Sequence, residues 1–276
     1  MSECNHDCAS CHEDCSAPRT ENTNALSHVK RVIAVVSGKG GVGKSAVTAL
    51  LTTAMSRKGY SCAVLDADIT GASIPRMFGV TGNLVGDESG IFPAETPAGV
   101  RLVSSNLLLE NETDPIVWRG PVIAGMVKQF WTDVVWGDVD YMFVDCPPGT
   151  GDVPLTVFQS IKVDGIIVVT TPQELVSMIV EKAVNMANLM KIPVLGIVGN
   201  MSYILCPKCN ERIDILGSGK AVEAVAQKYG IPLLAEIPYD AAIVKAADSG
   251  KIESVKVDYV NAAADILESG LPVAKH

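Results

Sequence analysis

Continuous runs of β-branched and small apolar residues alternate along the chain with stretches whose apolar positions recur every three to four residues. The run at 32–37 predicts a strand buried on both faces, as in a parallel sheet. It breaks into Gly38, Gly40, Gly41 and Gly43, after which Val47, Leu50, Leu51, Ala54 and Met55 mark one face of a helix. Further apolar runs predict strands at 61–68, 100–104, 141–145, 165–170, 194–200 and 231–238. Helical spacing predicts a short turn at 74–78 and a helix through Ile123, Met126, Val127, Phe130 and Val134. It also predicts helices at about 174–190 and 217–229, and two more before the C-terminus. Strands alternating with helices predict an α/β fold with a doubly wound, mostly parallel sheet. Residues 71–119 carry the least pattern.

The glycine break changes this picture from architecture to chemistry. Gly38-Lys-Gly-Gly-Val-Gly-Lys-Ser45 fits the phosphate-binding pattern G-x-x-x-x-G-K-[ST], placed between a strand and a helix as that pattern requires. The backbone amides of Gly38, Lys39, Gly40, Gly41, Val42 and Gly43 can converge on phosphate oxygens, helped by the helix N-terminus. Lys44 is expected to reach the β/γ-phosphates of ATP, and the Ser45 hydroxyl to hold Mg²⁺. Lys39 puts a second cation in the loop, able to stabilise charge that develops during phosphoryl transfer. Asp66 and Asp68 close one strand and Asp145 another, at the end of a sheet where ligands bind. Asp145 is the natural carboxylate for Mg²⁺, and the Pro-Pro-Gly-Thr-Gly after Cys146 must be a shaped loop able to sense the γ-phosphate. Thr171-Pro-Gln, Asn200 and Pro238-Tyr-Asp240 follow strand ends where a base could be held, although Asp240 reads equally well as a helix N-cap.

A length of 276 residues, 48% of them hydrophobic, suits one large α/β domain with an appendage. We read 1–27 as a Cys-rich tail and linker and 28–276 as the P-loop domain. A net charge of −9 argues against a DNA- or RNA-backbone binder. No apolar run approaches the roughly 18 residues of a membrane span, and no secretory signal is seen, so the expected location is cytoplasmic. Eight cysteines in that setting point to metal, cluster or redox chemistry ahead of disulfides. Cys4, Cys8, Cys11 and Cys15 lie within twelve positions, enough to wrap one zinc ion or one iron–sulfur cluster, or to remain a thiol-rich tail. Cys62 and Cys146 read as buried thiols, and Trp118, Trp131 and Trp136 as packing anchors. Cys206-Pro-Lys-Cys209 fits a redox pair or half of a zinc or cluster site, and the polar stretch after it reads as a hairpin. As a metal site it needs a second pair of ligands, from a two-fold mate or from the tail.

The loop Gly-Lys-Gly-Gly-Val-Gly-Lys-Ser resembles the deviant P-loop of the nitrogenase-iron-protein/MinD class of dimeric ATPases. That resemblance implies that Lys39 reaches the partner's nucleotide. From about residue 31 onward the chain is similar to the Mrp/ApbC/Nbp family of P-loop ATPases, which carry iron–sulfur clusters to apoproteins. The matching pieces are that loop, Leu-Asp-Ala-Asp, Ser-Ile-Pro-Arg-Met-Phe-Gly, Asp-Cys-Pro-Pro-Gly-Thr-Gly-Asp, Thr-Pro-Gln, Asn-Met-Ser and Cys-Pro-Lys-Cys, in this order. The resemblance implies slow ATP hydrolysis and a homodimer with a [4Fe–4S] cluster bridged by Cys206 and Cys209 of both copies. It further implies Asp66 near Mg²⁺, Asp68 near the attacking water, and apoproteins as recipients. Two departures stand out: the tail cysteines are spaced more tightly than in the eukaryotic Nbp branch, and Gly199 stands where a Glu often precedes Asn-Met. The alternative reading is a zinc-stabilised dimer that uses nucleotide only as a switch. A membrane-partitioning role would need a basic amphipathic C-terminal helix, and 257–276 carries little basic charge.

Overall fold

The computed structural model describes residues 20–109, 120–173, 176–217 and 219–271. The candidate ligands Cys4, Cys8, Cys11 and Cys15, and the anchor Trp118, lie outside the described residues. The strands are β1 (His28–Ser37), β2 (Cys62–Asp66), β3 (Gly86–Asp87), β4 (Gly90–Ile91), β5 (Ala94–Glu95), β6 (Arg101–Val103), β7 (Asp138–Asp145), β8 (Gly165–Thr170), β9 (Val194–Gly199), β10 (Ile204–Leu205), β11 (Arg212–Ile213) and β12 (Leu233–Glu236). The helices are α1 (Lys44–Arg57), α2 (Ile74–Phe78), α3 (Gly120–Thr132), α4 (Asp152–Ser160), α5 (Val176–Leu189), α6 (Lys220–Tyr229), α7 (Ala241–Asp248) and α8 (Asn261–Gly270).

Eight strands form one sheet in the order β12-β9-β8-β1-β7-β2-β6-β5. All neighbours are parallel except the edge strand β5, which is antiparallel to β6. Strand residues alternate between the two faces. Val32, Ala34 and Val36 pack into a core under α3, α4, α5 and α6, while Ile33 and Val35 pack into a second core under α1, α2, α7 and α8. A stretch buried on both faces must be apolar, which is why 32–36 of β1, 141–144 of β7 and 165–169 of β8 read as unbroken apolar runs. Trp131 and Trp136 are buried packing anchors, and Cys62 and Cys146 are buried thiols.

Two features differ from the expectation. The region 86–95 contains three two-residue strands, too short for any period to register. The polar stretch expected to be a linker is fastened down from Glu21 onward. The Glu21 carbonyl accepts from Trp131 Nε1 at 2.9 Å, its amide donates to the Ser160 carbonyl at 2.8 Å, and its carboxylate pairs with Lys128 at 2.7 Å.

Candidate functional site

Because the main sheet is parallel, every strand of its interior delivers its C-terminal end to the same edge. That edge collects the glycine loop after β1, Asp66 at the end of β2, Asp145 at the end of β7 and Asn200 just past β9. Asp66 and Asp145 are register partners on adjacent strands, so their carboxylates stand side by side. Lys44, the first residue of α1, reaches towards them. Its Nζ lies 2.7 Å from Asp145 Oδ2 and 3.8 Å from Asp68 Oδ2, with only 5% of the side chain exposed.

Asp145 is the hub of this cluster. Ser45 Oγ donates to its Oδ2 at 2.6 Å and Thr48 Oγ1 to its Oδ1 at 2.7 Å, so both oxygens are engaged from the first turn of α1. Asp66 accepts from Ser104 Oγ at 3.0 Å and from the Asp68 amide at 3.2 Å. Burial, followed by the Asp145 charge, pushes the Asp66 carboxyl up to about 8. Burial also raises Asp68 above the usual carboxylate range, partly offset by Lys44. For Lys44 burial works against the charge, yet attraction to Asp145 prevails and its ammonium is held more firmly than in water. The excess of buried carboxylates over ammonium, together with the Ser45 hydroxyl, is a set of hard oxygen donors suited to a small divalent cation.

The glycine loop is shaped from outside as well as within. Gly43 has φ +75°, and a Cβ there would collide with the Asn200 side-chain amide, so only glycine fits. Asn200 Nδ2 donates to the Val42 carbonyl at 2.9 Å, strapping the loop to the end of β9. A cavity of about 180 Å³ opens beside it, lined among others by Gly43, Asn200, Met201, Pro238 and Asp240. Asp240, one of the cavity's lining residues, is also the N-cap of α7, accepting from the Ala242 amide at 2.7 Å. Lys39 hydrogen-bonds Gln173 Oε1, and Pro148 of the loop after Asp145 lies against Gly40.

Cys206 and Cys209 occupy the turn of the β10–β11 hairpin, which leaves the sheet after β9 and therefore stands at the same edge as the nucleotide loop. The strands flank the cysteines, whereas the expected hairpin lay wholly after them. The Cys206 amide donates to the Glu211 carbonyl and the Asn210 amide to the Cys206 carbonyl, both at 2.9 Å. Amides of Lys208 and Cys209, and the Cys209 thiol, hold the Cys206 thiol below its ordinary value. Among the described residues no group of three or more His, Cys, Asp or Glu side chains is arranged to hold a metal ion.

Several residues of this site were not singled out from the sequence. Thr48 could have been found, since it lies three residues after Ser45 on the same face of α1. Ser104 and Arg212 carried no signal: Ser104 meets Asp66 only through the sheet order, and Arg212 meets Glu236 across 24 residues from a hairpin outside the main sheet.

A glycine loop between strand and helix, an embedded Lys44 and paired strand-end carboxylates define a P-loop nucleoside-triphosphate-binding protein. A family model described as NUBPL iron-transfer P-loop NTPase, of the ParA group, matches residues 28–269. The chain belongs to that family. It is 43% identical over 246 residues to an iron–sulfur cluster carrier protein of Clostridium perfringens, covering 86% of each chain. It is 42% identical over 261 residues to one of Methanocaldococcus jannaschii, covering 91% of this chain and 90% of the relative. Among solved structures it resembles a nucleotide-binding protein of Archaeoglobus fulgidus in complex with ADP, with a TM-score of 0.75 and 45% identity over 84% of this chain and 90% of that one. The septum site-determining protein MinD of Pyrococcus horikoshii shares the fold, with a TM-score of 0.59 and 22% identity, covering 88% of this chain and 96% of that one.

Proposed function

We propose that this chain hydrolyses ATP and carries a [4Fe–4S] cluster to recipient apoproteins, working as two copies that face each other. The observation that carries this reading is spatial. The nucleotide loop and the pair of half-buried Cys206 and exposed Cys209 rise from one edge of one parallel sheet, and the pair gathers no third ligand among the described residues.

Backbone amides of 38–45 and the Lys44 ammonium receive the phosphates, Lys44 exchanging its contact with Asp145 for phosphate oxygens. Ser45 and Asp145, with Asp66 behind them, are the residues that would hold Mg²⁺. That ion supplies charge neutralisation at the β- and γ-phosphate oxygens. Asp68 orients the attacking water, and its raised proton affinity makes it a better acceptor than a free carboxylate. Lys39 rests on Gln173 in a single copy and serves the partner's nucleotide in the pair. Asn200, Pro238 and Asp240 enclose the base. Four soft thiolates, two from each copy, complete the cluster's ligand set. The compartment we assign is the cytoplasm, where such thiols stay reduced.

The test is anaerobic transfer from the loaded chain to an apoprotein that needs a [4Fe–4S] cluster, with and without ATP, in wild type and Lys44→Ala. ATP is expected to change the wild-type transfer rate and to leave the variant's unchanged. Equal rates in all four reactions would overturn the link between hydrolysis and delivery.

A further inference from the structure

The cysteine hairpin makes no ladder with the main sheet, so something else must set where Cys206 and Cys209 stand. Arg212 on β11 ties the hairpin to its surroundings. Its Nη1 and Nη2 donate to Glu236 Oε2 and Oε1 at the end of β12, each at 3.2 Å, and its Nε donates to Asp214 Oδ1 at 3.0 Å. The guanidinium carbon also lies 4.2 Å from the centre of the Tyr203 ring. Arg212 and Glu236 are 43% and 32% exposed, so water screens the charge attraction. The planar fork and the stacking are what give the contact its geometry, and an ammonium offers neither.

The segments that Arg212 joins are also walls of the cavity beside the glycine loop. Glu236 stands two residues before the cavity residue Pro238, and Tyr203 two residues after the cavity residue Met201. Between these segments the Ser202 amide donates to the Ile237 carbonyl at 2.9 Å and the Tyr239 amide to the Tyr203 carbonyl at 2.8 Å. Met201 sits at φ +52°, a left-handed conformation that a methionine rarely adopts, at the point where the chain passes from cavity to hairpin. On the return side, Gly217 has φ +122°, and a Cβ there would meet the Pro172 carbonyl at 2.7 Å. Pro172 adjoins Gln173, the residue that holds Lys39. The hairpin is thus rooted at both legs in segments that touch the nucleotide loop.

We propose that Arg212 is a positioning residue that couples filling of the cavity lined by Asn200, Met201 and Pro238 to the placement of Cys206 and Cys209. The proposal rests on the reading of that cysteine pair as the cluster's ligands, but its test uses cluster-free protein. The two can therefore fail separately. The readout is the rate at which iodoacetamide modifies Cys206 at fixed pH, followed by peptide mass spectrometry with and without saturating ADP, with ADP binding confirmed by calorimetry. ADP is expected to change the wild-type rate by about fivefold or more. In Arg212→Ala and Arg212→Lys, ADP still binds and the ratio of rates falls to about one. Glu236→Gln, which keeps the acceptor but drops the charge, is expected to lie between. The proposal is overturned if ADP leaves the wild-type rate unchanged, if Arg212→Ala keeps the wild-type ratio, or if Arg212→Ala no longer binds ADP.

Discussion

Asp66 and Asp145 face each other across neighbouring parallel strands, two carboxylates at one sheet edge with Lys44 as their nearest cation. Two like charges so placed, without water, drive one of them to keep its proton. Asp66 is that one, with its carboxyl pushed up to about 8 by burial and by Asp145.

The first expectation concerns pH. The folded value of Asp66 exceeds the ordinary aspartate value of about 3.9, so between the two the folded state binds more protons than the unfolded state. Stability of the nucleotide-free protein therefore falls as pH rises through that window. Asp66→Asn removes the titrating group and keeps an acceptor for Ser104. Its melting temperature should exceed wild type at pH 8.5, by a margin that shrinks towards pH 5. Mg²⁺ and ADP should stabilise both proteins and narrow the margin between them at high pH. Parallel pH profiles for the two proteins would contradict this.

Thr48 satisfies an oxygen of Asp145 that no other described side chain is seen to reach. Thr48→Val keeps the shape and leaves a buried charged acceptor short of a donor, costing about 1–3 kcal/mol. For a chain of this size that corresponds to a loss of several degrees in melting temperature, roughly 2–4 °C per kcal/mol. Thr52→Val is the control, since Thr52 only donates back to the Thr48 carbonyl within α1. Thermal denaturation of both variants without nucleotide separates the effects.

Lys44 and Lys39 should fail differently. Lys44→Ala removes a phosphate ligand and leaves Asp145 buried without its cation, so both nucleotide affinity and hydrolysis drop. Lys39→Ala removes a half-buried loop cation held by Gln173, and should slow hydrolysis by about 100-fold or more while ADP still binds. If Lys39 acts across the pair, mixing the two variants pairs an intact Lys39 with an intact Lys44 site, and part of the activity returns. Mixing that restores nothing would place Lys39 in its own subunit's site.

Among the described cysteines, alkylation should single out the hairpin. Cys206 carries a thiol held below its ordinary value by the amides of Lys208 and Cys209, so it reacts at a lower pH than a free cysteine. Cys62 and Cys146 are buried, and burial pushes Cys146 up to about 12 and Cys62 higher still, so both should react only after unfolding. A pH series of iodoacetamide labelling mapped by mass spectrometry reads all of them together.

What could be read in the chain follows from how far apart the interacting residues lie. The phosphate loop was legible because its strand, glycines, Lys44 and Ser45 are contiguous, and the doubly wound sheet because strands buried on both faces must be apolar throughout. The strand-end rule placed Asp66, Asp145 and Asn200 at the sheet edge. It could not show that Asp66 and Asp145 are direct neighbours, since that depends on β7 inserting between β1 and β2. The Asn200–Val42 strap and the Arg212–Glu236 clamp join residues 158 and 24 positions apart and leave no periodic trace. The short strands at 86–95 were missed for the opposite reason, because two residues make no pattern.

The sharing of one cluster by two copies is tested most directly by anaerobic native mass spectrometry of the reconstituted chain. A species of two chains holding one [4Fe–4S] cluster is expected, absent from the Cys206→Ala/Cys209→Ala variant even when that variant binds ADP. A loaded single chain, or a cluster that survives loss of both hairpin cysteines, would contradict it.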